Sequence, residues 1–145
     1  MKIIASLSVL LFLSAANALL AVDTAPATKP ALETVRYERT GGFAGTNDVI
    51  EITPDGAVSV QGRLMRNAKG QLSPEQIAQL ITIFADWKKL DPDYPAPSGS
   101  ADDFHFTIRY GSKTVSGSEL NAKLPDSFKA ARSAIEKIAD ELSKK

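Results

Sequence analysis

Few side chains in this chain could do chemistry. His105 is the only histidine and there is no cysteine. It stands in "DDFHFTIRY", close to Asp103 and Arg109, so any Ser-His-Asp set or histidine-activated nucleophile would have to be built on it. No Gly-x-Ser-x-Gly elbow accompanies it, and a lone histidine on the polar phase of a strand reads as a solvated residue. One histidine without cysteine also leaves too few nitrogen and sulfur ligands for a structural zinc site. Asp86, Asp91, Asp93, Asp102 and Asp103 bracket the loop "DWKKLDPDYPAPSGSADD" and offer the oxygen-rich stretch that calcium would need. Their spacing fits no calcium loop, and they read as solvated loop and cap residues. No catalytic residue, metal site or cofactor is expected.

The other unusual stretch is "RTGGFAGTNDVIEI", residues 39–52, in which three glycines within five residues surround Phe43. Glycine tolerates positive φ and close backbone approach, so such a run marks a sharp turn or a contact. It lacks the G-x-G-x-x-G order and leads into a strand rather than a helix, which excludes a phosphate cradle. Phe43 is therefore either a core plug or a contact. Burial is the favoured reading, since an aromatic gains more from leaving water than from staying in it. Exposed, it would fill an apolar pocket on a partner. Gly41, Gly42, Phe43, Ala44 and Gly45 are the candidate partner-binding residues. Arg63, Arg66 and Lys69 make a mildly basic loop that reads as a solubility feature.

These residues need elements to hold them. Val35 and Tyr37 alternate with Arg36 and Glu38, predicting a strand that ends at the glycines. Ile50 and Ile52 share a face of the next strand, "TPDGA" supplies a tight turn, and Val58 and Val60 resume the alternation. "GRLMRNAKGQL" reads as loop or frayed strand. In "LSPEQI", Ser73 can cap a helix with Pro74 at its first position and Gln76 completing a capping box. Ile77, Leu80, Ile81 and Phe84 follow at helical spacing. Trp87 falls off that stripe and is expected over a sheet edge. In the next strand Phe104, Phe106, Ile108 and Tyr110 face one way and His105, Thr107 and Arg109 the other. "KTVSGS" returns, and a helix from about Pro125 presents Phe128, Ala131, Ile135, Ile138 and Leu142. The expected fold class is α+β, a small antiparallel sheet of about four strands with two helices packed on one face, in the order ββαββα.

Residues 1–18 read as a signal peptide, with Lys2, an apolar run from Ile3 to Leu13, and Ala16-Asn17-Ala18 before the cut. Residues 19–33 read as an Ala/Pro/Thr-rich tether and 34–145 as one domain. The expected location is periplasmic or extracellular, without stable membrane insertion once the signal is removed. Removal of Lys2 leaves 16 basic against 17 acidic residues. With no dense basic stretch, nucleic acid is not an expected partner.

Two segments in order, "VRYERTGGFAG" at 35–45 and "DDFHFTIRY" at 102–110, with a helix between them, resemble the emfourin-like, protealysin-associated inhibitors of thermolysin-type metalloproteases. The chain is similar to that family from about Val35 to Leu142. It differs in its signal and tether, in Phe106 where the family pattern has tyrosine, and in a longer 91–101 loop. The resemblance implies a non-enzymatic inhibitor that occupies a metalloprotease cleft with Gly41 to Gly45. The alternative is a non-catalytic exported binding module of the cell envelope.

Overall fold

The computed structural model describes residues 30–98 and 102–144. The expected signal peptide and most of the expected tether lie outside that range. Leu32, in the last part of that tether, is buried in the core.

Alternation sets the first strands. β1 (Val35–Gly41) buries Val35 and Tyr37 and is followed by β2 (Thr46–Ile52), which buries Ile50 and Ile52 on the same face. They pair antiparallel, Tyr37 opposite Ile50 and Gly41 opposite Thr46. The turn at Pro54–Gly56 sends the chain back as β3 (Ala57–Gln61), which adds Val58 and Val60 to the core. β6 (Phe104–Tyr110) pairs with the other side of β1, setting Ile108 opposite Tyr37, and β7 (Lys113–Ser118) returns beside it.

Two short strands complete the sheet. β4 (Ala68–Gln71) pairs with β3, and β5 (Asp93–Tyr94) runs parallel to β7. The sheet is thus mixed and seven-stranded, in the order β4-β3-β2-β1-β6-β7-β5. This corrects the expected four-strand antiparallel sheet and its ββαββα order, although the α+β class stands. The reason is local. "AKGQ" has no apolar alternation to announce a strand, yet its backbone pairs with β3, and Leu142 fills the space above Gly70, where a Cβ would lie 2.3 Å from Leu142 Cδ2. β5 is only two residues long, held beside β7 with the Ser116 amide donating to the Pro92 carbonyl at 2.9 Å.

The helices α1 (Pro74–Ile83) and α2 (Asp126–Ser143) cover the apolar face. Phe84, just past α1, stacks on Tyr110 with ring centroids 4.3 Å apart, while Phe128 of α2 lies over Gly117. α1 starts as its sequence dictates. The Gln76 amide donates to Ser73 Oγ at 3.3 Å, and the Ser73 amide donates to Gln76 Oε1 at 2.9 Å. Ser73→Ala removes the side-chain cap, which is one of the two bonds of the box, and is expected to cost about 1 kcal/mol, read as a lower urea midpoint with an unchanged m-value.

Trp87 is fully buried rather than partly exposed, on a 3-10 turn at Trp87–Lys89 after α1 ends. Its indole N–H donates at 3.4 Å to the Lys113 carbonyl of β7, where β7 has no strand partner on its outer side, as expected of a side chain over a sheet edge. Its ring stacks on Phe128 at 5.9 Å and meets Phe84 edge-on at 4.9 Å. The opposite face of the sheet carries Arg36, Glu38, Glu51, Thr107 and Arg109, with Arg36 bridging Glu38 and Glu51. Among the described residues no helix is long and apolar enough to cross a membrane.

Candidate functional site

The topology brings three connections to one end of the sheet: the β1–β2 turn, the loop 62–67 after β3, and residues 119–123 after β7. Each carries one large exposed hydrophobic side chain. Phe43 is 99% exposed, Leu64 55% and Leu120 50%, and these are the large hydrophobics left in water among the described residues. β3 and β7 are four strand positions apart, so the row spans about 20 Å at roughly 4.8 Å per step. Singly exposed apolar side chains need no explanation; what these three share is the end of the sheet at which they stand.

Phe43 corrects the burial reading. The gain from leaving water exists only where there is a core to enter, and the turn projects beyond the end of the sheet. Gly42 to Gly45 form a closed turn in which the Gly45 amide donates to the Gly42 carbonyl at 3.0 Å, with Phe43 and Ala44 at its tip. The Gly42 amide donates to the Asp103 carbonyl at 3.0 Å, tying the turn to the start of β6. Gly41 is required there: its φ is 106°, and a Cβ would lie 2.2 Å from the Asp103 carbonyl oxygen. Gly42 packs against the Phe104 ring, which a Cβ would meet at 2.7 Å. The consecutive residues Gly41, Gly42, Phe43, Ala44 and Gly45 therefore form one projection, closed by its own hydrogen bond and tied to the start of β6.

Loop 62–67 is built on a buried carboxylate. Asp48, fully buried, accepts from the amides of Arg63 (2.8 Å), Leu64 (3.0 Å) and Met65 (3.3 Å) through Oδ1. Its Oδ2 accepts from Arg39 Nε at 3.0 Å and Nη2 at 2.6 Å. Burial alone would raise the Asp48 pKa, but the Arg39 guanidinium and the amides of Leu64 and Met65 outweigh it and hold it below the usual carboxylate range. Arg63 Nη1 in turn donates to the Ala44 carbonyl at 2.6 Å, linking the loop to the Phe43 turn. Arg63 thus has a structural contact that its reading as a solubility residue did not include.

Behind this end, Tyr37 Oη donates to Glu136 Oε1 at 2.5 Å, and Glu136 also accepts from Arg132 Nε at 3.2 Å. Burial, then the bond to Glu136, push the Tyr37 phenol far above its ordinary range. Arg132 lies over the Phe106 ring, 3.7 Å from its centroid. The network ties α2 to the middle of the sheet and is a structural brace.

His105, Asp103 and Ser118 do meet, wired unlike a nucleophilic triad. Ser118 Oγ is buried, donates to Asp103 Oδ2 and accepts from the Leu120 amide at 3.1 Å. His105 Nε2 stands 3.8 Å from the same Oδ2, beyond hydrogen-bond reach. A buried serine hydroxyl that already donates to Asp103, with no approach from solvent, is a brace for the 119–123 connection. Asp86, Asp91, Asp93 and Asp102 do not converge with it, and among the described residues no group of three His, Cys, Asp or Glu side chains is placed to hold a metal.

Sequence reasoning missed Asp48, Leu64 and Leu120. Asp48 was findable: it sits on the inward phase of β2, two positions before Ile50 and directly opposite Arg39. Leu64 and Leu120 carried no periodic signal. No protein-family model matches the chain, and no curated protein matches it.

Proposed function

We propose that this chain is an exported, non-enzymatic inhibitor of a thermolysin-like zinc metalloprotease, which docks through the loop end of its sheet and obstructs the active-site cleft. The observation that carries the reading is Phe43, almost wholly in water on a turn closed by its own hydrogen bonds. A turn already closed by hydrogen bonds loses less ordering entropy on binding than an open loop, and an aromatic anchor entering a desolvated pocket contributes a large share of interface energy. Leu64 and Leu120 extend the surface on either side. The protease class comes from the resemblance of residues 35–45 and 102–110 to the emfourin-like inhibitors.

The test is a titration of the protein without residues 1–18 against a panel of thermolysin-like enzymes. The parent is expected to inhibit at or below micromolar concentration. Phe43→Ala is expected to raise the inhibition constant at least about 30-fold, roughly 2 kcal/mol or more, with an unchanged melting temperature. Absence of inhibition across the panel, or equal inhibition by Phe43→Ala, overturns the proposal. An exported binding module without a protease target would then be the reading left.

A further inference from the structure

Peptidases and other strand-reading partners take a segment in extended form, with backbone pairing along a groove and side chains filling alternate pockets. The Phe43 turn is closed against that form. Extending Gly42-Phe43-Ala44 would break the Gly45 amide to Gly42 carbonyl bond, the Gly42 amide to Asp103 carbonyl bond and the Arg63 Nη1 to Ala44 carbonyl bond. It would also part Gly41 from Thr46 in the β1–β2 ladder, two rungs from the pair of Arg39 with the buried Asp48. The side chain of Phe43, by contrast, is free in water with nothing packed on it. Side chain and backbone at this site are therefore offered differently.

We infer that a partner takes Phe43 as a side chain alone, into an aromatic-sized pocket at the floor of a cleft open enough to admit the end of a two-stranded hairpin. A peptidase bound there leaves the Gly42–Phe43 and Phe43–Ala44 peptide bonds uncut. The inference rests on the metalloprotease reading above and specifies its mode: the turn blocks the cleft without being turned over as substrate. Cleavage needs the turn to open first, and hydrolysis of a transiently opened segment tracks the population of the open form.

The experiment incubates three samples with thermolysin and follows them by mass spectrometry, while residual peptidase activity is recorded on a separate reporter substrate. They are the protein without residues 1–18, the synthetic peptide of residues 39–48, and a variant with two glycines inserted between Ala44 and Gly45, its fold checked by circular dichroism. The peptide is expected to be cut beside Phe43. The parent is expected to be cut there at least about 100-fold more slowly, and the insertion variant at an intermediate rate. Cutting of the parent beside Phe43 at a rate within about tenfold of the peptide overturns the inference, whether or not the enzyme is inhibited. An uncut parent that fails to inhibit removes thermolysin as a target and leaves the closed turn standing. If the insertion variant does not fold, the parent-to-peptide ratio decides alone.

Discussion

Replacing Asp48 by alanine is expected to lower stability by about 3–5 kcal/mol, a large part of the 5–15 kcal/mol that holds a domain of this size together. The change leaves the Arg39 guanidinium, which is largely shielded from water, with the more distant Glu136 carboxylate at 3.9 Å in place of its doubly hydrogen-bonded partner, and leaves the amides of Arg63, Leu64 and Met65 without their shared acceptor. Equilibrium urea unfolding reads the loss. Hydrogen exchange locates it, since those three amides should lose protection more than the amides of β6. Asp48→Asn keeps an acceptor oxygen and should lose less stability than Asp48→Ala. Equal losses would show that the charge, not the acceptor, holds loop 62–67.

The same residue sets a pH dependence of known sign. The Asp48 carboxyl is held below its usual range when folded, whereas an unfolded aspartate titrates near 3.9. Between those two values the unfolded chain binds the extra proton, so stability rises with pH. The contribution of Asp48 is fully present above about pH 5 and is lost as pH falls through its folded value. The parent melting temperature should therefore drop more steeply than that of Asp48→Asn below about pH 5. Parallel profiles would remove Asp48 from the acid response.

Trp87→Ala is the second large effect, about 3–5 kcal/mol, because it empties a fully buried site between Phe84 and Phe128. It also removes the indole N–H that donates to the Lys113 carbonyl at 3.4 Å. Trp87→Phe retains a ring in the stack and should lose less. Trp87 is the only tryptophan, so the unfolding of these variants is followed by far-ultraviolet circular dichroism rather than by fluorescence. A loss under 1 kcal/mol for Trp87→Ala would mean that α2 settles into the vacated space.

These sites differ in how far the sequence reveals them. β6 was legible because a strand buried on one face must alternate, and Phe106, Ile108 and Tyr110 do so without interruption. The start of α1 was legible because its capping groups are local. The full burial of Trp87 was less so, since a 3-10 turn shifts the angular phase on which a helical stripe is read. β4 was read only as loop or frayed strand and β5 escaped notice, because their pairing partners, rather than their own residues, make them strands. Phe43 was misread for a related reason. Transfer energies say what an aromatic gains by burial, but only the tertiary arrangement says whether any core lies within reach. The glycines around it, by contrast, correctly announced a turn with positive φ.

The position of β1 in the middle of the sheet has a kinetic meaning. β1 and β2 can close as a local hairpin, but the other side of β1 belongs to β6, where Val35 faces Tyr110 across most of the domain's sequence. That closure brings distant segments together before their packing rewards it, which places the chain among slower, non-local folders. Until β6 arrives, one edge of β1 is unpaired and Tyr37 lacks its neighbours Ile108 and Phe106. A nascent or truncated chain ending before β6 thus presents an open strand edge, so the exposed state of this protein is one in which the central strand has a single partner.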